Sequence, residues 1–153
     1  TTFLHPELDP QGIGYHINQA LLAIGSGGFF GLGYGHSRQK FQYLPEVAGD
    51  SIFAIISEEM GFFIAALTIG LFLLFLWRML RVAKHAPDQF GKYVVVGIAA
   101  WIVIQAFVNI GSMLALMPIT GVPLPFISYG GTSLAISLAA IGVVLNVSKS
   151  TKA

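Results

Sequence analysis

Four carboxylates gather where the first long apolar stretch of this chain begins. Glu46 and Asp50 precede the stretch, and Glu58 and Glu59 lie within its first turns. A positioned carboxylate can take a proton from a reacting group, and ionisable side chains inside an apolar span indicate function by default. On a helix, Glu58 would lie roughly 12 Å from Asp50, too far for the two to share a proton. The spacing instead suits a polar cavity that reaches inward from the membrane surface.

Helical register places the small and polar residues of this stretch together. The predicted face contains Asp50, Ala54, Ser57 or Glu58, and Gly61. We expect this face to line a wet cavity. Other roles stay open at this point. Asp50 could be the N-cap that accepts a hydrogen bond from a first-turn amide, the two glutamates could pair within a helix bundle, and Glu46 could be a solvated loop residue.

A later apolar stretch also carries polar side chains at helical spacing. Gln105, Asn109 and Ser112 are four and three residues apart and therefore share one face. We expect this face to form hydrogen bonds between helices, with direct contact to a substrate as the alternative. The segment 117–133 follows, and its three prolines and three glycines exclude a continuous helix. Because it is apolar, we expect it to dip back into the protein at membrane depth.

The composition of this chain indicates a membrane protein. Of the 153 residues, 55% are hydrophobic and 10% are charged, and the mean hydropathy of +0.76 is far above that of a water-soluble domain. The formal net charge of +1 provides no overall field that would recruit nucleic acid. The absence of cysteine excludes disulfides, thiolate metal sites and cysteine nucleophiles. No signal peptide is visible, and we expect the chain to be a fragment of something longer.

Three stretches are long enough to cross a bilayer, which requires about 20 apolar residues. Lysine and arginine cluster between the first two stretches and after the third, so the positive-inside rule places those regions in the cytoplasm. We therefore predict an all-α integral membrane protein, a polytopic helical bundle. Its segments are an extracellular loop with a short interfacial helix and a glycine-rich part (1–50), a transmembrane helix (51–80), a cytoplasmic loop (81–92), a second transmembrane helix (93–116), an extracellular Pro/Gly loop (117–131), a third transmembrane helix (132–148) and a cytoplasmic tail (149–153).

The remaining motifs exclude several kinds of site. The glycines of IGSGGFFGLGYG follow no strand and match neither the GxGxxG nor the P-loop spacing, so a flexible or tightly turned loop is the better interpretation. The histidines have no metal-binding spacing, and no serine lies in a Gly-x-Ser-x-Gly context. We predict no metal site and no cofactor. A divalent cation is compatible with the sequence but is not indicated by it.

Two long strings and the basic loop between them carry a family signature. The strings are QALLAIGSGGFFGLGYGHSRQKFQYLPEVAGDSIFAIISEEMGF and QAFVNIGSMLALMPITGVPLPFISYGGTS. Together they closely resemble the carboxy-terminal half of proteins of the SEDS family, the group of FtsW, RodA and SpoVE, over about residues 11 to 148. The string LPxTGxPLPFxSYGGxS, with Met117 where leucine is common, is among the most diagnostic of that family. The motif VAGDSIFA and the loop that ends in SYGG are more similar to the division and sporulation branch than to RodA.

The resemblance implies a peptidoglycan glycosyltransferase, which polymerises lipid II into glycan strands during cell division, sporulation or elongation. The family's proposed catalytic aspartate falls on Asp50, and Glu46 is carried over as a supporting residue of the substrate site. Asp50 would be the general base for the attacking sugar hydroxyl. Arg38 and Lys40 are candidate cations for the diphosphate of the substrate. The other predicted substrate-binding residues are Glu58, Gln105 and Ser128.

The resemblance also implies partners and a location. The partners are lipid II, a class B penicillin-binding protein transpeptidase, other division proteins and the membrane, with no nucleic acid. The location is the bacterial cytoplasmic membrane, with the active site on its outer face. A lipid II flippase or transporter, which would depend on Glu58 and Gln105 more than on Asp50, stays open, as does a non-catalytic scaffold of the division machinery. Three helices cannot enclose a lipid-linked donor and acceptor, so we expect the isolated fragment to be inactive.

Overall fold

The computed structural model describes residues 13–33, 51–118 and 120–150, and this part of the chain is all-helical. The helices are α1 (Ile13–Ser26), α2 (Ile52–Lys84), α3 (Gln89–Met113) and α4 (Gly131–Ser150). The last three are long and apolar enough to cross a membrane. The predicted fold class, a helical membrane bundle with three spans, is confirmed.

The connection between α2 and α3 is shorter than the sequence indicated. α2 continues past residue 80 to Lys84, and the charges of Arg81 and Lys84 in its last turn favour a helix C-terminus. α3 begins at Gln89, before the predicted start at residue 93. The Asp88 side chain caps it by accepting a hydrogen bond from the Gly91 amide at 3.0 Å. Such a cap satisfies one of the amides that a helix start leaves without an intrahelical partner.

The other end of α3 also differs from the prediction, because the helix ends at Met113 and not near residue 116. The amides of Leu116 and Met117 both donate to the Gly111 carbonyl, at 2.9 and 3.2 Å. Ala115, directly before Leu116, has a φ of 55°. These bonds close the helix in a tight turn, as a left-handed residue commonly does at a helix C-terminus.

Two apolar clusters join the helices. Small side chains dominate the first, which links α1, α2, α3 and the loop after α3. Its members are Ala20, Ala23, Phe53, Ala54, Ala65, Ala106, Met113 and Leu124. The second links the other end of α2 to α3 and α4, and its members are Met79, Ala83, Val95, Ala99 and Val144. Small residues let helix backbones approach closely, which is a common basis of helix packing in membranes.

α4 contributes little to either cluster. In the described part of the chain, only Ser137 and Val144 of this helix are buried. Ala135 and Ala139 are exposed. The contact of α4 with the second cluster is made by its second half, where Ile141, Val144 and Val147 lie.

Candidate functional site

α2 is interrupted at Gly61, directly after the segment that carries Glu58 and Glu59. Gly61 has a φ of 77° and a ψ of −176°, which is not a helical conformation. This region of backbone conformation is essentially restricted to glycine. Irregular backbone at membrane depth is tolerated only where protein covers it or where it lines a cavity. The interrupted turn therefore needs a partner.

The glycine-rich segment after α1 supplies that partner. The amides of Leu32 and Gly33 donate to the carbonyls of the two glutamates, each at 3.0 Å. In the opposite direction, the amide of Phe62 donates to the carbonyl of Gly28, also at 3.0 Å. These three backbone bonds satisfy groups that the interruption removes from the helical pattern, so the segment completes α2 where the helix itself does not continue.

Three glycines permit this close approach. A Cβ added to Gly27 would overlap the backbone of Ser57. A Cβ on Gly31 would overlap the backbone of Glu59, and one on Gly61 would overlap the backbone of Gly31. Backbone atoms cannot move aside as the end of a flexible side chain can. Of the two interpretations of the glycine run, a tightly turned loop is the one that describes residues 27–33.

Glu58 and Glu59 lie beneath this loop, 1% and 6% exposed. Ala54, Ser57 and Gly61 on the predicted small face are also buried. The prediction that this face lines a wet cavity is wrong for the described residues, because the small side chains bring α1 and its loop into contact with α2. A role of Glu58 in substrate binding stays a prediction.

The segment after α3 runs back along that helix at membrane depth, as predicted. The side-chain amide of Gln105 donates to the Pro123 carbonyl at 2.9 Å. The side-chain amide of Asn109 donates to the Val122 carbonyl at 2.7 Å. Gln105 lies about 12 Å along the helix axis from Met113, the end of α3. The polar face of α3 therefore binds a loop, and the prediction that it binds another helix is wrong.

Ser128 organises a turn within this loop. Its hydroxyl accepts a hydrogen bond from the Leu124 amide at 2.7 Å, and its own amide donates to the Leu124 carbonyl at 3.0 Å. Phe126 inside the turn has a φ of 65°. Its ring meets that of Phe75 in α2 edge to face, with centroids 5.9 Å apart. The loop thus connects α3 to α2, and Gln105 and Ser128 build it. That either residue binds substrate stays a prediction.

The catalytic candidate and three of the substrate-binding candidates lie outside the described residues. They are Asp50, Glu46, Arg38 and Lys40. Ser51 occupies the N-cap position of α2 without a side-chain cap bond and is 3% exposed. The helix therefore starts one residue later than it would if Asp50 were its N-cap.

The contact between the glycine run and the interruption of α2 was not predicted from the sequence. The available signal was Gly61 itself, an isolated glycine in a helical pattern directly after two carboxylates and a methionine.

The structure contains no candidate metal site among residues 13–33, 51–118 and 120–150. No group of three or more His, Cys, Asp or Glu side chains in these ranges could hold a metal ion.

The whole chain, residues 1–153, matches the family that comprises FtsW, RodA and SpoVE and is described as "Cell cycle protein". The chain belongs to this family, the SEDS family of multi-pass membrane proteins. It is similar to stage V sporulation protein E of Bacillus subtilis, with 54% identity over 149 residues that make up 97% of this chain and 41% of the relative. It is also similar to the probable peptidoglycan glycosyltransferase FtsW of Trichlorobacter lovleyi, with 47% identity over 98% of this chain and 39% of the relative.

A solved structure has the same arrangement of helices. It is a chain from a peptidoglycan synthase complex, in work on the structural coordination of polymerization and crosslinking. The TM-score is 0.75 at 30% identity, over 98% of this chain and 40% of that chain. The chain thus spans about two fifths of the length of the relatives it matches. It is homologous to probable peptidoglycan glycosyltransferases over that part.

Proposed function

We propose that this chain forms part of a peptidoglycan glycosyltransferase that polymerises lipid II, with Asp50 as its general base. The observation that carries the proposal is the tightly packed start of α2, which follows Asp50 in the sequence. Ser51, Phe53 and Ala54 are 3%, 2% and 0% exposed. A catalytic group gains from attachment to such a fixed element, because small errors in position are costly to the rate. Homology to probable glycosyltransferases supports the same assignment.

The proposed reaction transfers a glycosyl group from a lipid diphosphate to a sugar hydroxyl. Asp50 takes the proton of the attacking hydroxyl while the bond between the anomeric carbon and the diphosphate breaks. Undecaprenyl diphosphate leaves, with its charge balanced by Arg38 and Lys40. Glu46 supports the substrate site. Because a diphosphate is a good leaving group, no second carboxylate needs to act as an acid.

The proposed site lies on the outer side of the cytoplasmic membrane. Four basic residues crowd the end of the bundle where α2 connects to α3: Arg78, Arg81, Lys84 and Lys92. Basic residues favour the cytoplasmic side of membrane proteins. The start of α2 is at the opposite end of that helix, where the lipid tails can remain in hydrocarbon while the sugars are in water.

A class B penicillin-binding protein transpeptidase is the proposed protein partner, together with other division proteins. The support is the similarity to a chain of a peptidoglycan synthase complex whose structure concerns both polymerization and crosslinking. A polymerase and a transpeptidase in one complex would join new strands as they are made. The membrane and lipid II complete the proposed partners.

Polymerisation of labelled lipid II by the full-length protein tests the assignment of Asp50. Asp50→Asn is nearly isosteric but cannot accept the proton, so the rate should fall at least about 100-fold. Asp88→Asn is the matched control. Asp88 caps α3 through its bond to the Gly91 amide, and asparagine caps about as well as aspartate, so this rate should stay near normal. A near-normal rate for Asp50→Asn would exclude Asp50 as the base and direct the search to Glu46.

A lipid II flippase is the second candidate, and the interruption of α2 favours it. Interrupted membrane helices form the substrate and ion sites of many transporters, and Glu58 and Glu59 are buried beside the interruption. A flippase would move labelled lipid II across vesicle membranes and would depend on Glu58 more than on Asp50. Polymerisation by a protein that does not move lipid II between leaflets would exclude this function.

A further inference from the structure

A groove of about 560 Å³ lies between α2 and α4. Its walls are mainly apolar and include Leu71 and Phe75 of α2, Leu138 and Ile141 of α4, and Phe126 of the loop after α3. The volume falls within the roughly 300–1,000 Å³ typical of sites for small ligands. The groove therefore has the size and the lining of a binding site for an apolar chain.

One cation, Arg78, contributes to the lining of this groove. Of the lining residues on α2 it is nearest to the helix end at Lys84, about 9 Å away along the axis. A long basic side chain at this depth lays its methylene groups on apolar surface and extends its charge towards the lipid headgroups. In the described part of the chain, no acidic side chain lines the groove.

We propose that this groove binds an anionic phospholipid, with one acyl chain between α2 and α4 and the phosphate on Arg78. Charge complementarity selects this occupant. A guanidinium binds a phosphate through paired hydrogen bonds, and the groove beside it is lined by apolar side chains except for Thr68, whose hydroxyl donates to the Ile64 carbonyl. The Phe126 ring, which contacts Phe75, forms part of the lining, and a flexible chain can follow such an irregular wall. The inference is independent of glycosyl transfer, because the proposed catalytic site lies at the other end of α2.

Native mass spectrometry of the full-length protein tests this inference through the lipid that it retains. The protein is reconstituted with phosphatidylglycerol or with phosphatidylcholine, and the wild type should retain the anionic lipid in preference. Arg78→Gln should lower the apparent affinity for phosphatidylglycerol about fivefold, the contribution of one basic residue at an anionic membrane surface. Leu138→Trp, which fills the groove, should lower it by at least as much. Ile141→Phe repeats the filling test if the tryptophan variant does not fold.

Arg81→Gln is the matched control for the charge. Arg81 lies one turn beyond Arg78, over the ring of Trp77 at 5.4 Å from its centroid, and is not among the lining residues. Its substitution should change lipid retention less than about twofold. Equal losses of affinity for phosphatidylglycerol in the two arginine variants would show that any basic residue at this surface attracts the lipid. That result would overturn the proposal. So would retention that survives both filling variants, or a wild type with no preference for phosphatidylglycerol.

Discussion

Two stretches of irregular backbone lie at membrane depth in this protein, and they are bound to the helices in opposite ways. The loop after α1 hydrogen-bonds to α2 through backbone groups, with the amides of Leu32 and Gly33 on carbonyls of the interrupted turn at 3.0 Å. Beside these bonds, the rings of Phe29 and Phe30 pack on those of Phe62 and Phe63. The loop after α3 is bound by side chains, with the amides of Gln105 and Asn109 on loop carbonyls at 2.9 and 2.7 Å. Both arrangements satisfy polar backbone groups where no water does so.

The two regions tolerate different substitutions. A contact between two backbones excludes any side chain at the point of approach, so almost every replacement there adds atoms where no space exists. A contact made by a side-chain amide requires only that a donor of similar reach be present. The first region is therefore sensitive to size, and the second is sensitive to hydrogen-bonding capacity.

The largest effect is expected at the backbone contact. Gly61→Ala should lower the free energy of unfolding by roughly 3 kcal/mol or more, because a strained conformation and a backbone overlap act together. Gly70→Ala is the matched control in the same helix, where an added Cβ meets nothing within 4 Å. That change should be neutral or stabilise by up to about 1 kcal/mol. Unfolding of the full-length protein in detergent measures both, and equal effects would contradict the distinction.

At the side-chain contact, Asn109→Leu should lower the free energy of unfolding by roughly 2 kcal/mol, since it leaves the Val122 carbonyl without its donor. Asn146→Leu is the control, because Asn146 is exposed on α4 and a surface substitution usually changes stability by less than about 0.5 kcal/mol. The same unfolding measurement applies. A loss for Asn109→Leu as small as that of the control would show that the loop does not depend on this amide.

Ser128→Ala should have a smaller effect within the same loop. It removes one hydrogen bond, from the Leu124 amide to the serine hydroxyl, and a bond of this kind contributes about 1 kcal/mol. Ser150→Ala, exposed at the end of α4, should change the free energy of unfolding by only about a few tenths of a kcal/mol, as a surface change does. If both substitutions cost the same, the turn would be stable without its serine bond.

The smallest effect is expected at Gly28. At this position the cost of the backbone conformation can be measured without the cost of a steric overlap. Gly28 has a φ of 55°, but a Cβ there meets no atom within 4 Å. Asparagine adopts positive φ more readily than other residues with a side chain. Gly28→Asn should therefore cost less than about 0.5 kcal/mol, and Gly28→Ala about 1 kcal/mol. If Gly28→Asn lowered the free energy of unfolding as much as Gly61→Ala, the whole loop and not only its contact points would exclude side chains.

The sequence predicted the spans but not what covers them. Apolar length and the absence of charge determine where α2, α3 and α4 cross the membrane, and both can be counted in the sequence. The contact of Gly31 with Gly61 was not predicted, because an isolated glycine in a helical pattern indicates an interruption but not which segment of backbone covers it. The polar face with Gln105 and Asn109 was predicted from its spacing, but the predicted partner, another helix, was wrong. Helical register shows which residues share a face and does not show which element lies opposite.

The candidate site could be predicted only in part for the same reason. A carboxylate at the start of a span is visible as an exception to the apolar pattern, and Asp50 and Glu58 were found in this way. Whether such a carboxylate faces water or protein depends on the covering element. For Glu58, that element is the loop after α1, which the sequence did not connect with α2.

The interruption at Gly61 also divides α2 into two parts that enter a bilayer at different cost. The part from Phe62 to Trp77 carries no charged residue and can partition into the membrane by itself. The part before the interruption carries Glu58 and Glu59, and a charged side chain at the centre of an inserting helix costs roughly 2.5–3.5 kcal/mol. We therefore expect that part to become a stable membrane segment only once α1 and its loop cover it, so that residues synthesised earlier complete a helix that is inserted later.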